Sequence, residues 1–98
     1  MAQFDDLVHQ PVRLKIMATL NALPPEEQLE FVRLRTIVEA TEGNLGAHIA
    51  TLEKAGDVLV EKDFAGKKPR TRIAISVQGR TAFAEHVAYL RSLLGGAA

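Results

Sequence analysis

The sequence predicts a mostly α fold carrying one β-hairpin, an α+β chain, on three observations. Apolar residues recur at helical spacing from Phe4 to Leu52 and again from Ala82 to Leu94. Residues 71–77 alternate strictly, with Ile73, Ile75 and Val77 on one side and Arg72, Ala74 and Ser76 on the other. Between the helical blocks, residues 64–70 hold the Gly and Pro that bend a chain back on itself.

Taken in order, Phe4, Leu7 and Val8 stand at i, i+3 and i+4 of a short helical start. Pro11 suits the first turn of the next helix, where its missing N–H would have no partner anyway. Val12, Ile16, Leu20 and Leu23 line the inner face of that helix, which runs to about residue 23. Pro24-Pro25 stops it, and Glu26-Glu27-Gln28 makes an acidic, solvated connection. Phe31, Leu34, Ile37 and Val38 mark a further helix over about 29–40. Thr41 then caps a helix that closes at Ala55-Gly56, where glycine can adopt the left-handed conformation. Its Leu45, Ile49 and Leu52 recur at i, i+4 and i+7 and point into a core. These two helices make a helix-turn-helix over about 29–56.

Residues 57–63 and 71–77 pair as a hairpin, joined by a loop over 64–70 that is longer than a tight turn. Ser76 caps a final helix reaching about residue 94 and ended by Gly95-Gly96. This helix has two apolar stripes where a monomer needs one: Phe83, Val87, Leu90 and Leu94, and beside them Ala82, His86, Tyr89 and Leu93. The first packs on the domain. The second, with Phe4, Leu7 and Val8, is expected to join two copies of the chain; the alternative is that the N-terminal segment covers it within one chain.

The helix after Thr41 turns Asn44, Ala47, His48, Thr51 and Lys54 to the side opposite its apolar face, a short-chained stripe without an acid. Asn, Thr and His can hydrogen-bond to base edges or phosphates, and Ala can meet a thymine methyl. Residues 62–72 contain five bases, Lys62, Lys67, Lys68, Arg70 and Arg72, against one acid, Asp63, a local charge of +4 in a chain of net charge zero. Such concentration is an electrostatic footprint for phosphate; a solvated hairpin tip that merely resists aggregation is the plainer alternative. Arg33 and Arg35 project from the first helix of the pair, which commonly crosses the DNA backbone.

Three stretches carry a family resemblance: Pro11-Val-Arg-Leu-Lys-Ile-Met, Thr41-Glu-Gly-Asn-Leu-Gly-Ala-His-Ile-Ala-Thr-Leu-Glu-Lys-Ala-Gly, and Phe64-Ala-Gly-Lys-Lys-Pro-Arg-Thr followed by Ser76-Val-Gln-Gly-Arg. Together they resemble the small stand-alone winged-helix transcriptional regulators of the MarR and ArsR kind, over essentially the whole chain. The resemblance implies a helix, beginning near Gly43, that enters the major groove of double-stranded DNA. It also implies a hairpin wing along the backbone or in the minor groove. The homodimer is expected separately, from the surplus apolar stripe of the C-terminal helix, with that helix, the N-terminal segment or both joining the copies. Gly46 and Ala47 stand where such helices often carry longer polar residues, which leaves fewer side chains for base readout.

Ninety-eight residues suit one domain, 1–98. The absence of cysteine excludes disulfides, thiolate metal sites and cysteine nucleophiles. His9, His48 and His86 have no partner at metal-ligand spacing, since Tyr89 and Leu90 follow His86 at i+3 and i+4, and no Gly-rich phosphate loop or Gly-x-Ser-x-Gly turn occurs. No catalytic residue, metal or cofactor is therefore expected. Without a signal-like start or a long apolar span, a cytoplasmic protein with no membrane partner is expected. The alternative function is a winged-helix module that binds protein without DNA, for which the sparse Gly46-Ala47 surface is the argument.

Overall fold

Asp5 caps α1 (Asp6–His9), its carboxylate accepting from Val8 N at 3.0 Å, and the Gln10 side chain caps α2 (Pro11–Asn21) by accepting from Arg13 N at 2.9 Å. The computed structural model, which describes residues 4–95, continues through β1 (Leu29–Glu30), α3 (Phe31–Val38), α4 (Glu42–Lys54), β2 (Val58–Ala65), β3 (Lys68–Ile75) and α5 (Val77–Leu93). The strands form an antiparallel sheet in the order β1-β3-β2. Ile16, Met17 and Leu20 of α2 meet Leu34, Leu45, Leu52 and Ile73 in a core without solvent exposure. Val12, Leu23 and Phe31 pack at its edge, half-buried.

The helical spacing places α2, α4 and α5 within about two residues of their ends, as terminal fraying permits. The remaining boundaries differ for physical reasons. Leu29 and Glu30 pair with Ile73 and Arg72 as a short strand, so α3 begins at Phe31 and not at 29. It ends early because Glu39 adopts a left-handed φ of 56°, the conformation that closes a helix. The hairpin strands run to Ala65 and from Lys68, leaving a turn of only Gly66 and Lys67 in place of the long loop. Gly66, at φ 66°, supplies the positive φ that a two-residue hairpin turn needs. Val77 does not end a strand; it opens α5 and is exposed. Ala74 is buried along with Ile73 and Ile75, its methyl too short to rise above its cross-strand partner Leu59. The helix-ending role expected of Gly96 lies outside the described residues, while Gly95 follows Leu94 with a φ of 76°.

One joint fixes α5 to the rest. Ser76 Oγ accepts from Gly79 N at 2.9 Å and donates to Gly56 O at 2.6 Å. Gln78 Nε2 donates to Ala55 O at 2.7 Å and to Asp57 Oδ1 at 3.1 Å, and the Arg80 guanidinium donates to Asn21 O and Leu23 O at the end of α2. The Ser76-Val-Gln-Gly-Arg stretch thus staples α5 to both the α4–β2 turn and α2. This fixes the hairpin's angle to α4.

Candidate nucleic-acid interface

Thr41 Oγ1 accepts from Asn44 N at 3.1 Å and starts α4, which buries Leu45, Ile49 and Leu52. The 3.6-residue period then turns Asn44, Ala47, Thr51 and Lys54 to solvent, all four exposed. Thr51 Oγ1 donates to Ala47 O at 3.1 Å, which leaves the hydroxyl's lone pairs facing out. Gly43 and Gly46 leave open space where a side chain would be, so the surface is shallow as well as polar. The helix's acids stand to one side: Glu42 and Glu53 line a recess shared with Val60, Lys62 and Thr71 of the hairpin. That recess sets Lys62 beside α4. Arg33 and Arg35 are exposed on α3.

His48 projects from the same stripe toward α2. Its Nδ1 lies 3.1 Å from Nη1 of Arg13, whose Nε donates to Leu7 O. Burial first, then the Arg13 charge, holds the imidazole below its ordinary pKa.

The cross-strand register divides the wing residues between two faces. Val58, Val60, Lys62 and Phe64 face one way, opposite Ile75, Ile73, Thr71 and Pro69. Leu59, Glu61 and Asp63 face the other, opposite Ala74, Arg72 and Arg70. On that second face Arg70 grips Asp63 with two hydrogen bonds of 2.9 and 2.8 Å, and Arg72 donates to Asp63 at 2.7 Å and to Glu61. Hydrogen bonding from Arg70 is the main reason the Asp63 carboxyl sits below the usual carboxylate range. Arg72 Nε is buried without a hydrogen-bond partner. The +4 read from composition is therefore not all available: Arg70 and Arg72 are engaged within the sheet, while Lys62, Lys67 and Lys68 are exposed and form no ion pair among the described residues.

The residues expected between copies are divided as well. Val8 and His86 are fully buried inside the single chain, so they offer a second copy no surface. The Phe4 ring packs against His9, His86 and Tyr89 at centroid distances of 4.8, 5.2 and 5.7 Å, so the N-terminal segment covers much of the second stripe of α5. Leu7 and Ala82 are half-buried, and exposure persists at Phe4, Leu93 and Leu94. Asp5 N–H donates to His86 Nδ1 at 3.0 Å, so His86 Nε2 keeps its proton and donates to His9 Nδ1 at 3.0 Å. That tautomer leaves Nε2 without a lone pair for a metal, and among the described residues no group of three or more His, Cys, Asp or Glu could hold one.

Sequence reasoning did not assign Arg13 or the acids of the wing. Arg13 lies in the Pro11-Val-Arg stretch, but its partner is 35 residues away. Glu61 and Asp63 were legible in principle, since they alternate with Lys62 and fall opposite Arg72 and Arg70 once the turn is placed at Gly66-Lys67.

A helix pair followed by a β-hairpin and closed by a long helix is a winged helix, with α4 in the recognition position and β2–β3 as the wing. The chain belongs to the winged helix DNA-binding domain family, which it matches over residues 12–94. It is 37% identical over 76 residues to an uncharacterized protein of Methanocaldococcus jannaschii, covering 78% of this chain and 79% of that one. Among solved structures it is similar to a transcriptional regulator homologue protein from Pyrococcus horikoshii OT3, with a TM-score of 0.81 and 31% identity over 92% of this chain and 86% of that one. No helix among the described residues is long and apolar enough to cross a membrane.

Proposed function

We propose that this chain is a cytoplasmic, non-enzymatic transcriptional regulator that binds duplex DNA as a homodimer, with α4 in the major groove and the wing against the backbone or minor groove. The observation that carries the reading is the acid-free outer stripe of α4 standing beside a hairpin with free lysines. Asn44, His48 and Thr51 face base edges or phosphates, Ala47 meets a methyl group, and Lys54, Lys67 and Lys68 neutralise phosphate. Arg70 and Arg72 join them only by leaving Asp63 and Glu61. The likeness to a transcriptional regulator homologue supports the regulatory role. Leu93 and Leu94, 64% and 85% exposed at the end of α5, support a second copy as partner.

Equilibrium binding to duplex DNA at rising salt tests this. The log-affinity falls with a slope of about −0.9 per phosphate neutralised, and changing Lys62, Lys67 and Lys68 together to Ala flattens it by about 0.9 for each phosphate that then goes unneutralised. Absent or salt-insensitive binding would favour the protein-binding module. In sedimentation the wild type runs as a dimer and Leu93→Glu as a folded monomer; a monomeric wild type at high micromolar concentration removes the dimer.

A further inference from the structure

The DNA-binding reading leaves Arg13 unused, although it is half-buried and held at both ends. Its backbone N–H donates to Gln10 Oε1 at 2.9 Å, its Nε donates to Leu7 O in α1, and its Nη1 donates to Nδ1 of His48 in α4 at 3.1 Å. A guanidinium has donors only and keeps its charge at every relevant pH. His48 Nδ1 must therefore be the accepting nitrogen, and the ring proton sits on Nε2. Protonating the ring would set an imidazolium N–H against a guanidinium N–H, so the neutral form is favoured, in keeping with the lowered His48 pKa. Nε2–H has no hydrogen-bond partner among the described residues. Asn44 and Thr51, at i−4 and i+3 from His48, share its side of the helix.

We propose that Arg13 is a positioning residue for base recognition: it locks His48 in the Nε2–H tautomer, so that position 48 presents one outward donor and recognises a hydrogen-bond acceptor on a base edge. The inference rests on the DNA-binding reading. In the major groove such a donor is accepted by guanine O6 or N7, adenine N7 or thymine O4, and meets a like group at the cytosine amine. An unconstrained histidine would exchange tautomers and read both. Arg13 thus contributes selectivity without touching DNA, and its tie to Leu7 O keeps α1 in register with the recognition helix.

Two measurements on the full chain test it. Long-range proton–nitrogen NMR of the free protein reads the His48 tautomer: Nε2–H is expected in wild type, a mixture in Arg13→Met, and partial recovery in Arg13→Lys. Selection from a randomised duplex pool then reads base preference. His48→Ala and Arg13→Met are expected to relax the same base position by roughly five- to tenfold, the double variant no more than either alone, with binding to the unselected pool nearly unchanged. Additive effects, relaxation at different positions, or an equal loss on every sequence in Arg13→Met would overturn the proposal, as would an Nδ1–H tautomer in wild type. A wild type that binds no duplex also overturns it. That result is distinguishable as a failure of the DNA-binding reading, because the tautomer measurement then still reports the Arg13–His48 hydrogen bond.

Discussion

A Cβ built on Gly79 would lie 2.0 Å from the Asp57 carbonyl oxygen and 2.9 Å from Ile75 Cγ1. The first of these is backbone, so no side-chain rotation relieves it; α5 must lift off the α4–β2 turn, and the hydrogen bonds of Ser76 and Gln78 must stretch with it. Gly79→Ala is therefore expected to destabilise the fold by at least about 1–3 kcal/mol, the usual cost of overpacking, in denaturant unfolding. Gly46→Ala is the matching control. It sits inside α4 with open space around its Cβ position and should stabilise by roughly 0.5–1 kcal/mol. Equal stability of Gly79→Ala and wild type would mean that the joint is not rigid. At this scale the sequence was half legible. Ser76 was readable as a cap because its partner Gly79 is three residues on. The roles of Gln78 and Arg80 were not readable, because their partners lie 21 to 59 residues away and no local period reports them.

Among the elements, α2, α3 and α4 were legible because each buries a stripe at a 3.6-residue period, and the core contains Ile16, Leu20, Leu34, Leu45, Ile49 and Leu52 as that period requires, although Ile37 of α3 is exposed. On α5 the stripe expected to pack on the domain is only half-buried at Phe83, Val87 and Leu90 and exposed at Leu94, while the buried side chain is His86 of the other stripe. The sheet was less so. β1 has two residues, too few for any alternation, and is defined only by its pairing with β3. The hairpin reads too short from sequence because Pro69 signals a loop. In the structure Pro69 lies in β3 beyond the reach of β1, where β3 is an edge and a missing N–H is tolerated. The true register is what joins Asp63 to Arg70 and Arg72, and it changes the expectation for the wing. Asp63→Asn should release Arg70 while Glu61 still holds Arg72, raise affinity for all DNA sequences alike, and steepen the log-affinity against log-salt slope by about 0.9 if Arg70 reaches a phosphate. An unchanged slope would show that this face of the sheet points away from the duplex and that only the lysines meet it.

For the molecule as a whole, counting apolar stripes on α5 revealed surplus apolar surface but not what covers it. Phe4 and Val8, assigned from sequence to a second copy, are used in good part within the chain, where α1 seals His86 against α5. This closure has a proton-linked consequence. Burial, then the neighbouring His9, holds His86 below its ordinary pKa of 6.5, and burial with Arg13 does the same for His48. In the unfolded chain both return to about 6.5. Below that pH the unfolded state binds more protons than the folded state, so stability is lost as pH falls through the folded-state values, and above it this contribution is complete. The loss should begin where α1 meets α5, since a charged His86 can no longer accept the Asp5 N–H. Asp57 works with the opposite sign, because burial raises its carboxyl pKa and protonating it favours the folded state, but it acts nearer the carboxylate range. Unfolding free energies are accordingly expected to be flat above about pH 7 and to decline as pH falls below about 6.5. His86→Asn removes the titrating ring while offering an oxygen to the Asp5 N–H. It should lower stability at pH 7 yet leave a shallower decline, the remainder belonging to His48. A decline as steep as in wild type would mean that His86 is not the linked group, and that the seal between α1 and α5 is insensitive to acid.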